Sequence, residues 1–380
     1  MKRIIYILLA LSLGMGIPAC VRADQVKPEK EKKLSVDGPY VFHLPDGRMR
    51  VLSVNENREI KDTVYKVDPE NLEVVVTPHK YGHPFRVKLK TPGRPAWKLD
   101  AAEKLLVLSD PHGDLHSFIS ILQAQKVIDG DYNWIFGKNQ LVVIGDVFDR
   151  GDDVTAIFWL LYKLEQEAKE AGGAAIFLLG NHEEMELRGD ARYAEKKYKH
   201  LADTLHTSYQ AFYNENSELG RWLRTRNLLQ VIGDNLFVHA GLSVEFMGRK
   251  ESFEVMNETV SRGLSLSKEG RKDTSPLSAF LYDTKTGPFW YRGMVKDDDD
   301  KFVPISPANV KKMLKKYGVE RILVGHTIFK EVTSFFNEKV IAVNVKNKDN
   351  RKENRSRGVL IENGKVFLVY DSKPMQPLAE

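Results

Sequence analysis

Five separate apolar runs in this chain end on a side chain able to bind a metal ion, and no other feature restricts the fold as much. The plainest is Leu141-Val142-Val143-Ile144, which empties into Gly145-Asp146-Val147-Phe148-Asp149-Arg150-Gly151. An unbroken apolar run of that length reads as a strand buried on both faces. The same pattern recurs at Leu105–Leu108 before Ser109-Asp110-Pro111-His112-Gly113, and at Ala174–Leu179 before Gly180-Asn181-His182-Glu183. It recurs again at Leu236–Val238 before His239-Ala240-Gly241, and at Arg321–Val324 before Gly325-His326-Thr327. Open α/β sheets gather their chemistry at the carboxyl ends of their strands. A lone strand-end histidine is usually satisfied by nearby backbone. One shared site explains all five ends at once.

The rest of the chain fits around those strands. From Leu99 onward strands alternate with helices, expected over about 115–124 and 154–171. Residues 184–229 read as an aromatic-rich helical cap. Residues 244–300 are loop and helix closing on Gly287-Pro288-Phe289-Trp290-Tyr291-Arg292-Gly293. Upstream, short alternating segments between Tyr40 and Val76 are split by Pro45-Asp46-Gly47, Asn55-Glu56-Asn57 and Asp68-Pro69. They predict a small antiparallel β module over 38–98. His43, His79 and His83 lack any partner pattern there and read as structural. The main α/β domain then occupies 99–380.

The N-terminus reads as an export signal. Met1-Lys2-Arg3 is basic, Ile4 to Leu13 is apolar, and small residues follow to Cys20. The apolar run is too short for a permanent membrane span. Ile17-Pro18-Ala19-Cys20 resembles a bacterial lipobox, giving a leader over 1–19, lipid on Cys20 and a charged tether over 20–37. Cleavage after Val21-Arg22-Ala23 is the alternative, and would release a soluble periplasmic protein. The expected location is the bacterial cell envelope, with membrane attachment only through that lipid. Cys20 is the single cysteine, which excludes an intrachain disulfide and a thiolate metal site. With 57 basic against 52 acidic residues, the net charge of +5 argues against a nucleic-acid partner.

The strand-end residue types specify the chemistry. Oxygen and imidazole ligands without thiolates suit Mn²⁺, with Fe²⁺ and Zn²⁺ as alternatives. Asp110, His112 and Asp146 would hold one ion; Asp146, Asn181, His239 and His326 would hold a second. A shared Asp146 keeps two ions within roughly 4 Å, where they activate a water for attack on phosphorus. Phosphoryl oxygens then need forked cationic donors, which Arg150 and Arg292 supply. His182, beside Asn181, suits a general acid for the leaving oxygen, oriented by Asp149.

The ordered set Asp110-Pro111-His112-Gly113, Gly145-Asp146-Val147-Phe148-Asp149-Arg150-Gly151, Gly180-Asn181-His182-Glu183, His239-Ala240-Gly241 and Gly325-His326-Thr327 resembles the calcineurin-like metallophosphoesterases. It looks most like the phosphoprotein phosphatase family in its bacterial, Shewanella-like branch. The resemblance covers roughly Leu99 to Tyr370 and leaves the β module aside. It implies an αββα sandwich of two mixed sheets flanked by helices, and phosphomonoester hydrolysis without a phosphoenzyme. It assigns the same six ligands, the Asp149–His182 acid pair and Arg150 on phosphate. Arg292 falls in a region where the family varies. Ser109 stands where the family usually has glycine. Ile328 stands where many relatives carry a further histidine, so the site has the single late histidine of the phosphoprotein phosphatase type. The expected substrate is a phosphorylated protein or a small phosphomonoester. The alternatives are a nucleotide or dinucleoside polyphosphate hydrolase on the same site, and a non-catalytic surface-binding lipoprotein.

Overall fold

Along the central strands successive side chains enter two different cores. Leu106 and Leu108 join one apolar cluster while Leu105 and Val107 join another, and Val143, Phe177, Val238 and Val324 part in the same way from Val142, Ile176, Phe237 and Leu323. This period of two is that of a strand covered on both faces. The second cluster draws on two different sheets, so it is the layer between them. The first carries the apolar faces of the helices Leu115–Ala124 and Val154–Glu170. The chain is thus an αββα sandwich. The computed structural model describes residues 33–296 and 299–378.

One six-stranded mixed sheet runs in the order Gln376–Pro377, Lys365–Val369, Gly358–Glu362, Lys104–Leu108, Gln140–Val143 and Ala174–Phe177. The other runs Thr333–Phe335, Val340–Ala342, Arg321–Val324, Asn235–Val238, Leu229–Ile232 and Lys98–Leu99. Register does the positioning. Leu108 lies opposite Val143, and Val143 opposite Phe177, in parallel ladders. The Asp110, Asp146 and Asn181 loops therefore leave one sheet at one end. In the other sheet Val238 lies opposite Val324, which aligns the exits to His239 and His326.

The N-terminal strands Asp37–His43, Met49–Val54 and Ile60–Tyr65 form an antiparallel sheet, and Glu73–Val76 pairs with Phe85–Lys88. Their buried Tyr40, Val41, Val76, Phe85 and Val87 belong to the same cluster as the helix Val154–Glu170. The Trp159 indole N–H donates to Pro39 O at 2.8 Å, adding a polar tie to that apolar contact. Two of the three histidines there have side-chain partners, and the third, His79, is tied by its backbone, its buried Nδ1 having no partner among the described residues. His43 Nε2 meets Glu218 at 2.5 Å, His83 stacks on Tyr132, and the His79 backbone N–H donates to Asp153 at 2.6 Å.

The leader, Cys20 and most of the tether lie outside the described residues. Among the described residues no helix is long and apolar enough to cross a membrane.

Candidate active site

The site is made of backbone under strain. Asp110, His112, Asp146, Asp149, Arg150 and His326 all have positive φ, between 42° and 72°. Such values cost a non-glycine residue of order 1–3 kcal/mol each and persist only where the surroundings dictate them. One buried carboxylate does much of the dictating. Glu183 accepts the backbone N–H groups of Asp146 and Val147 at 2.8 Å, Phe148 at 3.2 Å and Gly180 at 2.7 Å. It ties the Asp146 loop to the start of the helix Asn181–Leu187. Burial, then the Asp146 charge, push its pKa up, and these N–H groups pull against that shift. Gly180 permits the approach: a Cβ there would lie 2.2 Å from Asp146 Oδ1. On the other side Asn347 Nδ2 donates to Ser109 O at 3.1 Å and Asp110 O at 3.2 Å.

All six expected ligands come together around Asp146. His239 Nε2 is 3.2 Å from Asp146 Oδ2, and His112 Nε2 is 3.8 Å from the same atom. His112 Nε2 also lies 4.0 Å from Asp110 Oδ1. Asn181 Oδ1 faces His239 Nε2 at 2.9 Å. The His326 backbone N–H donates to Asp110 Oδ2 at 3.1 Å, and its ring packs edge-on against His239 at 5.1 Å. Two clusters able to hold an ion, His112-Asp146-His182 and Asp146-His239-His326, share Asp146.

The donor atoms suit cations. The Nδ1 atoms of His112 and His239 face the carbonyls of Phe148 at 2.8 Å and Ile144 at 3.0 Å. As the N–H donors of those pairs, they leave both Nε2 lone pairs toward the site, the second-sphere arrangement of a metal-binding histidine. His239 Nε2, Asn181 Oδ1 and Asp146 Oδ2 are then three electron-pair donors in contact. Only a positive charge among them, a proton or a metal ion, makes that favourable. Among the described residues His326 Nε2 and Asp110 Oδ1 are buried with no hydrogen-bond partner, while Ser109 Oγ donates to the other oxygen of Asp110.

Titration behaviour agrees. Burial opposes a charge on His239, yet Asp146 overcomes it and raises its pKa to about 9. Burial, then the Asp146 charge, push Asp110 up to about 7. Burial lowers His112 to about 3, keeping it neutral as a ligand must be. Burial also raises Asp146, but His239, His182 and His112 together hold it well below the carboxylate range.

His182 borders this set and is tied to Asp149 and Arg150 as well. Its Nδ1 is bonded to Asp149 Oδ2, its backbone N–H donates to Asp146 Oδ1 at 3.0 Å, and its Nε2 is 3.9 Å from Asp146 Oδ2. Arg150 Nη2 approaches His182 Nε2 at 3.5 Å. Arg150 and Arg292 line one cleft of about 540 Å³ with His112, Asp146, His182 and His326. Arg292 Nε is buried without a partner, and Trp290 packs edge-on to His326 at 5.8 Å, closing the wall. Sequence reasoning passed over Glu183 and Asn347. Glu183 sat visibly in the Gly-Asn-His-Glu run; Asn347 gave no local signal.

A two-sheet sandwich with carboxylate, amide and imidazole ligands at its strand tips and arginines at the mouth defines a metallophosphoesterase, a metal-dependent hydrolase. Residues 103–328 match the calcineurin-like phosphoesterase family, and the chain belongs to it, in the Shewanella-like branch. It is 31% identical to a cold-active protein-tyrosine phosphatase of a psychrophilic Shewanella species, with a TM-score of 0.80 over 90% of this chain and 99% of that one. It is 26% identical to Shewanella-like protein phosphatase 2 of Arabidopsis thaliana over 65% of this chain and 72% of that protein. An uncharacterized Schizosaccharomyces pombe protein is 31% identical over 58% of this chain. The chain spans 65% of that last relative's length, or just under two thirds.

Proposed function

We propose that the protein hydrolyses phosphomonoesters on proteins, phosphotyrosine first among them, using two ions held by Asp110, His112, Asp146, Asn181, His239 and His326. The observation that carries this reading is the convergence of five loops on Asp146 beside a cleft lined by two arginines. The phosphotyrosine preference rests on the named activity of the Shewanella relative. When bound, the ions would supply Lewis acidity and lower the pKa of the attacking water. The carboxylate and imidazole donors suit Mn²⁺ best.

The chain's own residues supply the rest. Arg150 and Arg292, whose buried Nε has no partner among the described residues, bind the phosphoryl oxygens from the mouth of the cleft. Burial works against a proton on His182, but Asp146 and then Asp149 raise its pKa. The imidazolium therefore holds a proton at Nε2, beside Arg150, for delivery to the leaving oxygen. Asp149 keeps the ring turned by bonding Nδ1, as a carboxylate does for a catalytic histidine. Cys20 lipidation and display in the bacterial envelope complete the proposal and rest on the N-terminal sequence alone.

The test is a panel of phosphotyrosine, phosphoserine and phosphothreonine peptides and nucleotides, assayed with Mn²⁺. Turnover highest on phosphotyrosine supports the reading, and preference for nucleotides overturns it. Fatty-acid labelling that disappears in Cys20→Ser supports the anchor; unlabelled protein ends that part.

A further inference from the structure

Among the described residues, two buried carboxyl groups beside the proposed acid have no donor between them. His182 and Glu186 are four residues apart in the helix Asn181–Leu187 and share a face. Asp149 lies on that face, 1% exposed, with Oδ2 bonded to His182 Nδ1 and Oδ1 without any partner. Glu186, also 1% exposed, abuts Asp149, and neither of its oxygens meets a donor. Four buried acceptor atoms thus share one donor among the described residues, His182 Nδ1.

We infer that Glu186 is a protonated carboxylic acid donating to Asp149 Oδ1, a positioning residue that locks the Asp149–His182 pair. Adjacent buried carboxyls cannot both ionise without a cation between them. Asp149 has the His182 ring as its cationic partner, so the proton resides on Glu186. The other groups around Glu186 are Asp190, Lys199, Tyr209 and Tyr213. Asp190 strengthens the preference for the neutral acid and Lys199 opposes it; burial and Asp149 dominate, pushing the pKa up to about 10. The single added proton satisfies Glu186 and Asp149 Oδ1 together. Asp149 is then gripped at both oxygens and cannot swing, so His182 Nε2 stays aimed at the cleft. This inference rests on the acid role proposed for His182.

The experiment uses the Mn²⁺-loaded enzyme with p-nitrophenyl phosphate. An amide N–H donates as a neutral acid does, so Glu186→Gln is expected to keep kcat within about twofold of wild type. Glu186→Leu removes the donor and is expected to lower kcat about tenfold at unchanged KM. The infrared difference between wild type and Glu186→Gln at neutral pH should contain a protonated-carboxyl stretch. Absence of that band overturns the inference, as does a Gln variant as slow as Leu, or a Leu variant as fast as wild type. Should Glu186→Leu fail to fold, the Gln variant and the infrared band decide by themselves. If wild type hydrolyses no phosphomonoester, the proposed function fails while the band still reports on Glu186.

Discussion

At the scale of single residues, the site separates groups that hold charge from groups that move a proton. His182→Ala is expected to lower kcat by on the order of 10²–10⁴, the range for losing a positioned acid. Elemental analysis should find its metal content unchanged, because its Nε2 faces the Arg150 guanidinium at 3.5 Å. Loss of metal would place His182 among the ligands instead. Arg150→Ala removes charge-assisted hydrogen bonds, and the inhibition constant for inorganic phosphate should rise roughly tenfold or more. An unchanged constant would remove Arg150 from the phosphate site. Ser109 makes a related point: its hydroxyl donates to Asp110 Oδ2 and leaves the buried Oδ1 as the free ligand atom.

At the scale of elements, the strand tips could be read from sequence because one local rule governs them. An apolar run stops and a ligand-type side chain follows within two residues, with a glycine between them at Asp146, Asn181 and His326. The antiparallel pair Leu229–Ile232 and Asn235–Val238 was only half legible, because its first strand follows the helical cap with no break in composition. Phe85–Lys88 was missed for a different reason: its alternation becomes meaningful only against the partner strand Glu73–Val76. Tertiary ties of this kind also make a pH-sensitive joint. Asp153 begins the helix Val154–Glu170 and accepts the His79 N–H, and burial raises its pKa from 3.8 to about 6. The folded state then holds that proton more tightly than the unfolded chain does. This contribution to stability is greatest below pH 4 and is lost as pH rises through 6, by on the order of 2 kcal/mol. Asp153→Asn should abolish the decline, so urea unfolding should find it increasingly more stable than wild type between pH 4 and pH 7. A constant difference across that range would disprove the burial argument.

At the scale of the whole molecule, two sheets brought together by an apolar layer present acids and imidazoles that repel or strain one another until a cation joins them. Ligand binding to the folded state alone stabilises it by about 4 kcal/mol at a thousandfold excess over Kd. Chelation should therefore lower the Tm by several degrees and abolish activity, with Mn²⁺ restoring both more readily than Mg²⁺. An unchanged Tm would mean that the ligands are held as firmly without ions as with them. The bonds of Glu183 carry this unity into the protein's motions. Four amide hydrogens, from two segments more than thirty residues apart, end on one carboxylate, so none is released unless that carboxylate withdraws. In heavy water Asp146, Val147, Phe148 and Gly180 should exchange at a common rate, in a single opening of the two loops.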